Sequence, residues 1–215
     1  MTLANGEKIA ASDHKLRVND RLGLSYGQIN SLAGDFYGTE EPISDGKDDR
    51  DRSARFIRAY NTLANDSHRI PKEATDILDV LQGEVNAVNK ALENHQDPSV
   101  VYAQLPDVNA SLERITFGRS DMPTYLGLAR INWDHFGEDA RTAYTAGHEM
   151  AIKKAISGDL EGAYAMNAFA DHFLEDLFSS GHLRTPRRLL HNKTDITADL
   201  CAKVCRLPGR VSKQI

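Results

Sequence analysis

The chain has 215 residues, of which 27% are charged and 40% hydrophobic, and its net charge is −5. That length is enough for one full domain with a sizeable core, or for two small ones, and the mildly acidic balance gives no general case for a polyanion-binding surface. No apolar run approaches the roughly 18 residues of a membrane span, and the opening "MTLANGEKIAASDHKLRVND" lacks the apolar core of a secretory signal, so a cytoplasmic chain is expected unless a leader has been removed.

Residues 1–23 read as an N-terminal segment. In "SYGQINSLAGDF" the residues Tyr26, Ile29, Leu32, Ala33 and Phe36 recur at helical spacing. "GTEEPISDGKDDRDR" breaks that pattern with Gly, Pro and a charge run and predicts a solvated loop. "SARFIRAYNTLAN" is amphipathic, with Phe56, Ile57, Tyr60 and Leu63 on one side. A long helix follows, opened by Pro71 and striped by Ile77, Leu78, Leu81, Val85 and Val88. "DPSVVYAQL" and "PDVNASLERITFG" are shorter helical candidates, and "DMPTYLGLARIN" is ambiguous. From Gly137 the pattern is helical to about Ser157, breaks at Gly158, and resumes through "DLEGAYAMNAFADHFLEDLF". Near the end, Cys201 and Cys205 stand four apart, which makes no disulfide framework and only a weak metal signal. With no repeat and no sustained alternation, the expected class is all-α, a single multi-helix domain over 24–204, followed by a basic tail at 205–215.

One stretch carries chemistry. In "DHFLEDLFSSGH", Asp159 is a plausible N-cap for the helix, and the 100° advance per residue puts His172 and Asp176 on one face, a turn apart. The helix is expected to end near Ser179–Ser180, with Gly181 taking a left-handed turn that lets His182 fold back toward the same point. The bland alternative is a His–Asp helix pair beside an unrelated loop histidine. Imidazole and carboxylate together favour zinc.

The spacing His-x3-Asp-x5-His resembles the central metal motif of the zinc-dependent phospholipase C and P1-type nuclease superfamily. "YGQINSLAGDFYG", "DHF" and "SGHLRTPRRLLH" are most similar to the bacterial phosphatidylcholine-type phospholipases C and their uncharacterised fungal relatives, over most of residues 24–204. The resemblance implies an all-helical domain holding up to three zinc ions, with Asp35, His135, His172, Asp176 and His182 as ligands. It implies phosphodiester hydrolysis of a phospholipid headgroup by metal-activated water, with Asp35 also orienting or deprotonating that water, and it allows peripheral membrane contact. His148 is a candidate pocket residue. Arg184, Arg187 and Arg188 are candidates for gripping phosphate oxygens. The superfamily completes its cluster with a later His-x3-Glu or His-x3-Asp pair; His191 and Asp195 have that spacing but follow His182 very closely. The tail "CRLPGRVSKQI" has no ligand-type acid or histidine, as an altered or truncated C-terminus would, and no N-terminal amine ligand is evident. Two alternatives stay open: a single-strand nuclease, although Trp133 is the only tryptophan and no basic–aromatic interleaving marks a nucleic-acid surface, and a non-catalytic helical protein with an incomplete metal site.

Overall fold

Helix is what the apolar spacing produces over most of the molecule. The structure is a computed structural model and describes residues 1–193. It contains β1 (Lys15–Asn19), β2 (Leu22–Ser25), α1 (Tyr26–Leu32), α2 (Asp49–Ala64), α3 (Ile70–Glu93), α4 (Pro98–Ala103) and α5 (Asn109–Thr116). These are followed by α6 (Tyr125–Arg130), α7 (Gly137–Ile156), α8 (Leu160–Asp176), α9 (Ser180–Arg184) and α10 (Arg187–Lys193). Short 3-10 turns occupy Ile43–Asp45 and Asn132–His135. The predicted helical class therefore holds among the described residues, with one addition.

That addition is an antiparallel hairpin, β1 with β2, pairing Leu16 with Leu24 and Arg17 with Gly23. Leu16, Val18, Leu22 and Leu24 alternate inward and join the helical core. Two runs of four or five residues carry too short a period-2 signal to stand out, and the expected boundary at residue 23 falls inside this hairpin.

Polar residues set most helix starts. Ser25 and Gln28 cap α1 reciprocally, the Ser25 hydroxyl accepting from the Gln28 N–H and the Gln28 side chain accepting from the Ser25 N–H at 2.9 Å. Asp48 caps α2 by accepting from the Asp51 N–H at 2.8 Å. The charge run read as a loop is thus in part the first turn of α2, where Asp49 and Asp51 face the positive end of the helix dipole. α1 stops at Leu32, four residues before Phe36, because the chain turns sharply at Gly34 (φ 66°).

The centre of the molecule is the antiparallel pair α7 and α8, joined across Gly158 (φ 91°) and started by the expected Asp159 cap. Phe169 of α8 meets Phe56 and Tyr60 of α2 edge-on, at centroid separations of 5.8 and 5.7 Å. α1 and β1 pack on α8. α3 is buried at Ile70, Ala74 and Ile77 near its start and again at Ala91 near its end; Val85, of the predicted stripe, is half exposed between them. No helix among the described residues is long and apolar enough to cross a membrane.

Candidate metal centre

Four elements deliver five side chains to one place. Asp35 comes from the turn after α1, which is tied by main-chain bonds from Gly34 to Tyr37 (3.0 Å) and from Tyr37 to Leu32 (3.1 Å). His135 ends the 3-10 turn before α7. That turn is fixed by its neighbour Asp134, a buried carboxylate accepting from the Ile43 N–H (2.5 Å), the Ser44 N–H (3.1 Å) and the Ser44 hydroxyl (2.5 Å). α8 contributes His172 and Asp176, one turn apart. His182 sits on α9.

Asp35, His135 and His172 each place a ligand-type atom within 4.8 Å of the others. His172 Nε2 lies 3.1 Å from His135 Nδ1. Asp176 turns Oδ2 toward this pair, 2.6 Å from His135 Nδ1 and 3.6 Å from His172 Nε2, and Oδ1 toward His182, 3.5 Å from its Nδ1. His135 and His172 meet edge-to-face at 4.8 Å, and Phe136 and Phe173 pack on the imidazoles. A small cavity of about 40 Å³ is lined in part by His135, Gly34, Tyr37 and Asp134.

The expected route for His182 needs correction. α8 ends at Asp176 rather than near Ser179–Ser180, and Gly181 lies inside α9 instead of forming a left-handed turn. The reversal falls on residues 177–179, where the N–H groups of Leu177, Phe178 and Ser179 each bond three residues back. His182 reaches Asp176 all the same.

The second ring nitrogen of His172 is held. Nδ1 lies 3.0 Å from the main-chain oxygen of Asn30, so the proton sits on Nδ1 and the Nε2 lone pair faces the cluster. The Asn30 amide fits with its nitrogen donating to Glu175 (3.2 Å) and its oxygen accepting from the His172 main-chain N–H (3.1 Å). Neither Asn30 nor the tight turn at Gly34 is evident from ligand spacing alone. The available signal is the four-residue spacing of Tyr26 and Asn30 in a short helix, beside the apolar Ile29 and Leu32.

Charge in the cluster follows from burial and proximity. Burial pushes the His172 imidazole below its ordinary range, an effect that neighbouring Asp176 opposes and His135 reinforces. Burial alone would raise the Asp176 carboxyl, but His135, His172 and His182 outweigh it and hold the carboxyl below its usual value. Both shifts make the metal-free fold acid-sensitive. For His172, the unfolded chain takes up a proton as pH falls through 6.5, while the folded chain resists until a lower pH. The Asp176 contribution, present above its unfolded value of 3.8, is lost only as pH falls through the lower folded value. We therefore expect the urea midpoint of chelator-treated protein to fall between about pH 7 and about pH 5, the window in which an unperturbed histidine titrates. In His172→Gln that slope should flatten; an unchanged slope would place the acid sensitivity elsewhere.

The remaining sequence candidates lie outside this cluster. His148 stacks on Tyr144 and bonds Asn167 Oδ1 at 2.7 Å. Arg184 is exposed on α9, and among the described residues no ion pair engages it. Arg187 does not serve as a substrate grip: it is 1% exposed, with Nε donating to Asn132 Oδ1 (2.9 Å) and Nη2 to the carbonyls of Ala129 (3.1 Å) and Arg130 (3.2 Å). Arg188 lies over the Trp133 ring at 5.0 Å and is bonded to Asp45, Ser44 and Asp139. His191 packs on Trp133 at 5.3 Å rather than on the cluster residues. Asp195 and the basic tail lie outside the described residues. Arg187→Met is expected to cost about 1.5–3 kcal/mol of stability, because buried acceptors lose a charged donor. Arg184→Met should change stability by less than about 0.5 kcal/mol. Paired urea titrations test the contrast.

No protein-family model, no curated protein and no solved structure matches this chain.

Proposed function

We propose that this chain is a zinc-dependent phosphodiester hydrolase of the phospholipase C type, acting on a phospholipid headgroup. The observation that supports it is the meeting of Asp35, His135 and His172 beside the Asp176–His182 pair, from segments up to 147 residues apart in sequence. The donor set fits zinc: imidazole nitrogens with carboxylate oxygens, at least one imidazole with its other nitrogen already tied to a carbonyl. Asp35, His135 and His172 would hold one ion and leave a coordination position open, as catalytic sites do. Asp176, with one oxygen on each side, and His182 would contribute to a second. A third ion would need donors beyond these five. What bound zinc supplies is a lowered pKa for water and positive charge against phosphoryl oxygens.

The chain's own residues supply the rest. His172 stays neutral at pH 7, with its Nε2 lone pair turned toward His135 and the cluster. Asp176 stays ionised. Asp35 accepts a proton from the attacking water. Arg184, exposed two residues beyond His182, can present its guanidinium to a phosphate oxygen. Trp133 favours a lipid over a nucleic acid, since its ring already packs against Arg188 and His191 instead of offering a face for base stacking.

Metal content of the purified protein, measured beside hydrolysis of a choline phospholipid and of single-stranded DNA, tests this reading. Stoichiometric zinc with lipid hydrolysis supports it. DNA hydrolysis alone would make the protein a nuclease, and absence of zinc would leave a non-catalytic helical domain. Asp35→Asn is expected to lower turnover about 100-fold, within the range of general-base catalysis, while lowering zinc content less. Unchanged turnover would remove the proton-accepting role.

A further inference from the structure

A polar seam runs between α1 and α8 and reaches the cluster at His172. The Tyr26 hydroxyl donates to Asp171 Oδ2 at 2.5 Å and accepts from Asn167 Nδ2 at 2.7 Å. Asn167 is bonded in turn to His148 of α7 through its other amide atom, at 2.7 Å. One helical turn after Tyr26, Asn30 holds His172 Nδ1 through its carbonyl and spans the His172 N–H and Glu175 through its amide. The matched rows are Tyr26–Asn30 on α1 and Asn167–Asp171–Glu175 on α8, each at a four-residue repeat. Elsewhere α1 presents Ile29 and Leu32 to the core, and apolar contacts tolerate sliding better than directional hydrogen bonds do.

This seam has a consequence for the centre. Gly34 and Asp35 form the tight turn that follows α1, and α8 carries His172 and Asp176, so the register of one helix against the other sets the distance from the Asp35 carboxylate to the α8 donors. Helical rise is about 1.5 Å per residue, while zinc–nitrogen and zinc–oxygen bonds keep to about 2.0–2.2 Å. A slip of a fraction of one residue would therefore spoil the site without unfolding the helices.

We infer that Tyr26 is a positioning residue for the candidate metal centre, locking α1 to α8 through Asp171 and Asn167 so that Asp35 and the Asn30 carbonyl stand correctly against His172. The inference rests on the zinc reading given above. The Tyr26 hydroxyl bonds Asp171 and Asn167 rather than any of the five cluster residues, so it acts through α1.

The test measures zinc affinity by competition with a chromophoric chelator, together with the visible spectrum of the cobalt(II)-substituted protein, in wild type, Tyr26→Phe, Asn30→Ala and Tyr164→Phe. Tyr164 is the control. It also lies on α8, and its hydroxyl bonds the Thr2 main chain (3.0 and 3.1 Å), away from the centre. Tyr26→Phe should bind zinc about tenfold more weakly, the lower end of what a disturbed outer partner costs a metal site, and Asn30→Ala, which keeps the carbonyl on His172 Nδ1 but loses the side-chain bonds to the His172 N–H and Glu175, should weaken binding in the same direction. Both should alter the cobalt(II) spectrum, while Tyr164→Phe matches wild type. Wild-type affinity and spectrum in Tyr26→Phe would overturn the inference, and so would equal weakening in Tyr164→Phe, which would indicate general loosening of α8. Failure of the wild-type protein itself to bind zinc would overturn the metal reading and this inference with it, a result distinct from the other two.

Discussion

On the zinc reading proposed above, Gly34→Val is expected to weaken zinc binding severely while leaving most of the helical structure in place. Gly34 has φ 66°, a left-handed conformation that costs a side-chain-bearing residue roughly 1–2 kcal/mol, and more for a β-branched one. Space is the larger obstacle. A β-carbon there would lie 2.8 Å from His135 Cε1, 3.0 Å from His135 Nε2 and 3.0 Å from His172 Cδ2. Both imidazoles would have to move, and both belong to the three-residue donor set. We expect affinity to drop by more than about 100-fold, beyond the usual effect of losing an outer partner, with far-UV circular dichroism close to wild type. Gly83→Ala is the matched control, since a methyl group there meets nothing within 4 Å on α3; it should leave zinc binding untouched and raise stability by about 0.5–1 kcal/mol. Zinc binding by Gly34→Val at wild-type affinity would show that the turn does not need to approach the two rings so closely.

The largest loss of stability is expected from Glu73→Ala. Glu73, 5% exposed, accepts from the Tyr37 hydroxyl (2.9 Å), from Arg119 Nη2 (2.6 Å) and Nε (3.2 Å), and from Arg69. The Arg119 side chain is itself buried and lies 5.2 Å over the Tyr37 ring, with Nη1 donating to the carbonyls of Phe36 (2.7 Å) and Pro123 (3.0 Å). Removing Glu73 strands that guanidinium without its counter-charge, a loss of about 3–5 kcal/mol. For a domain of this size the thermal midpoint should fall by roughly 6–20 °C. The double variant Glu73→Ala/Arg119→Met should recover part of the loss, because it removes the stranded charge. A double variant no more stable than Glu73→Ala would mean that hydrogen bonds to the Phe36 and Pro123 carbonyls, rather than charge compensation, dominate. Since Phe36 follows Asp35, zinc affinity should weaken in parallel.

The part of the site visible in the sequence was the part governed by local geometry. His172 and Asp176 are one turn apart on a strongly patterned helix, so their shared face follows from helical periodicity alone. Asp35 and His135 had no such signal; they entered through family resemblance, and it is tertiary packing that brings them to α8. Where local rules met tertiary packing, packing prevailed. Arg187 looked like a surface cation beside a proposed phosphate site, yet Asn132 and two carbonyls draw it inside. Gly181 looked like a helix stop, but the chain reverses three residues earlier and α9 begins at Ser180. The charged stretch before Arg52 looked like solvent-facing loop because charge density conceals a helix start whose cap is itself an aspartate. The β1–β2 hairpin was missed because its alternation spans too few residues to exceed chance.

The wide sequence separation of the five donors has a consequence for biosynthesis. Asp35 leaves the ribosome long before His182, the last of the five, so no nascent fragment ending before α9 carries all five residues. If the cluster holds metal as proposed, a fragment that lacks α8 offers a divalent cation only Asp35 and His135 of the three-residue set. Occupancy of the three-residue set should therefore appear only after translation has passed α8, and that of the Asp176–His182 pair only after α9, when closing loops of about 100 residues has been offset by packing of the helices.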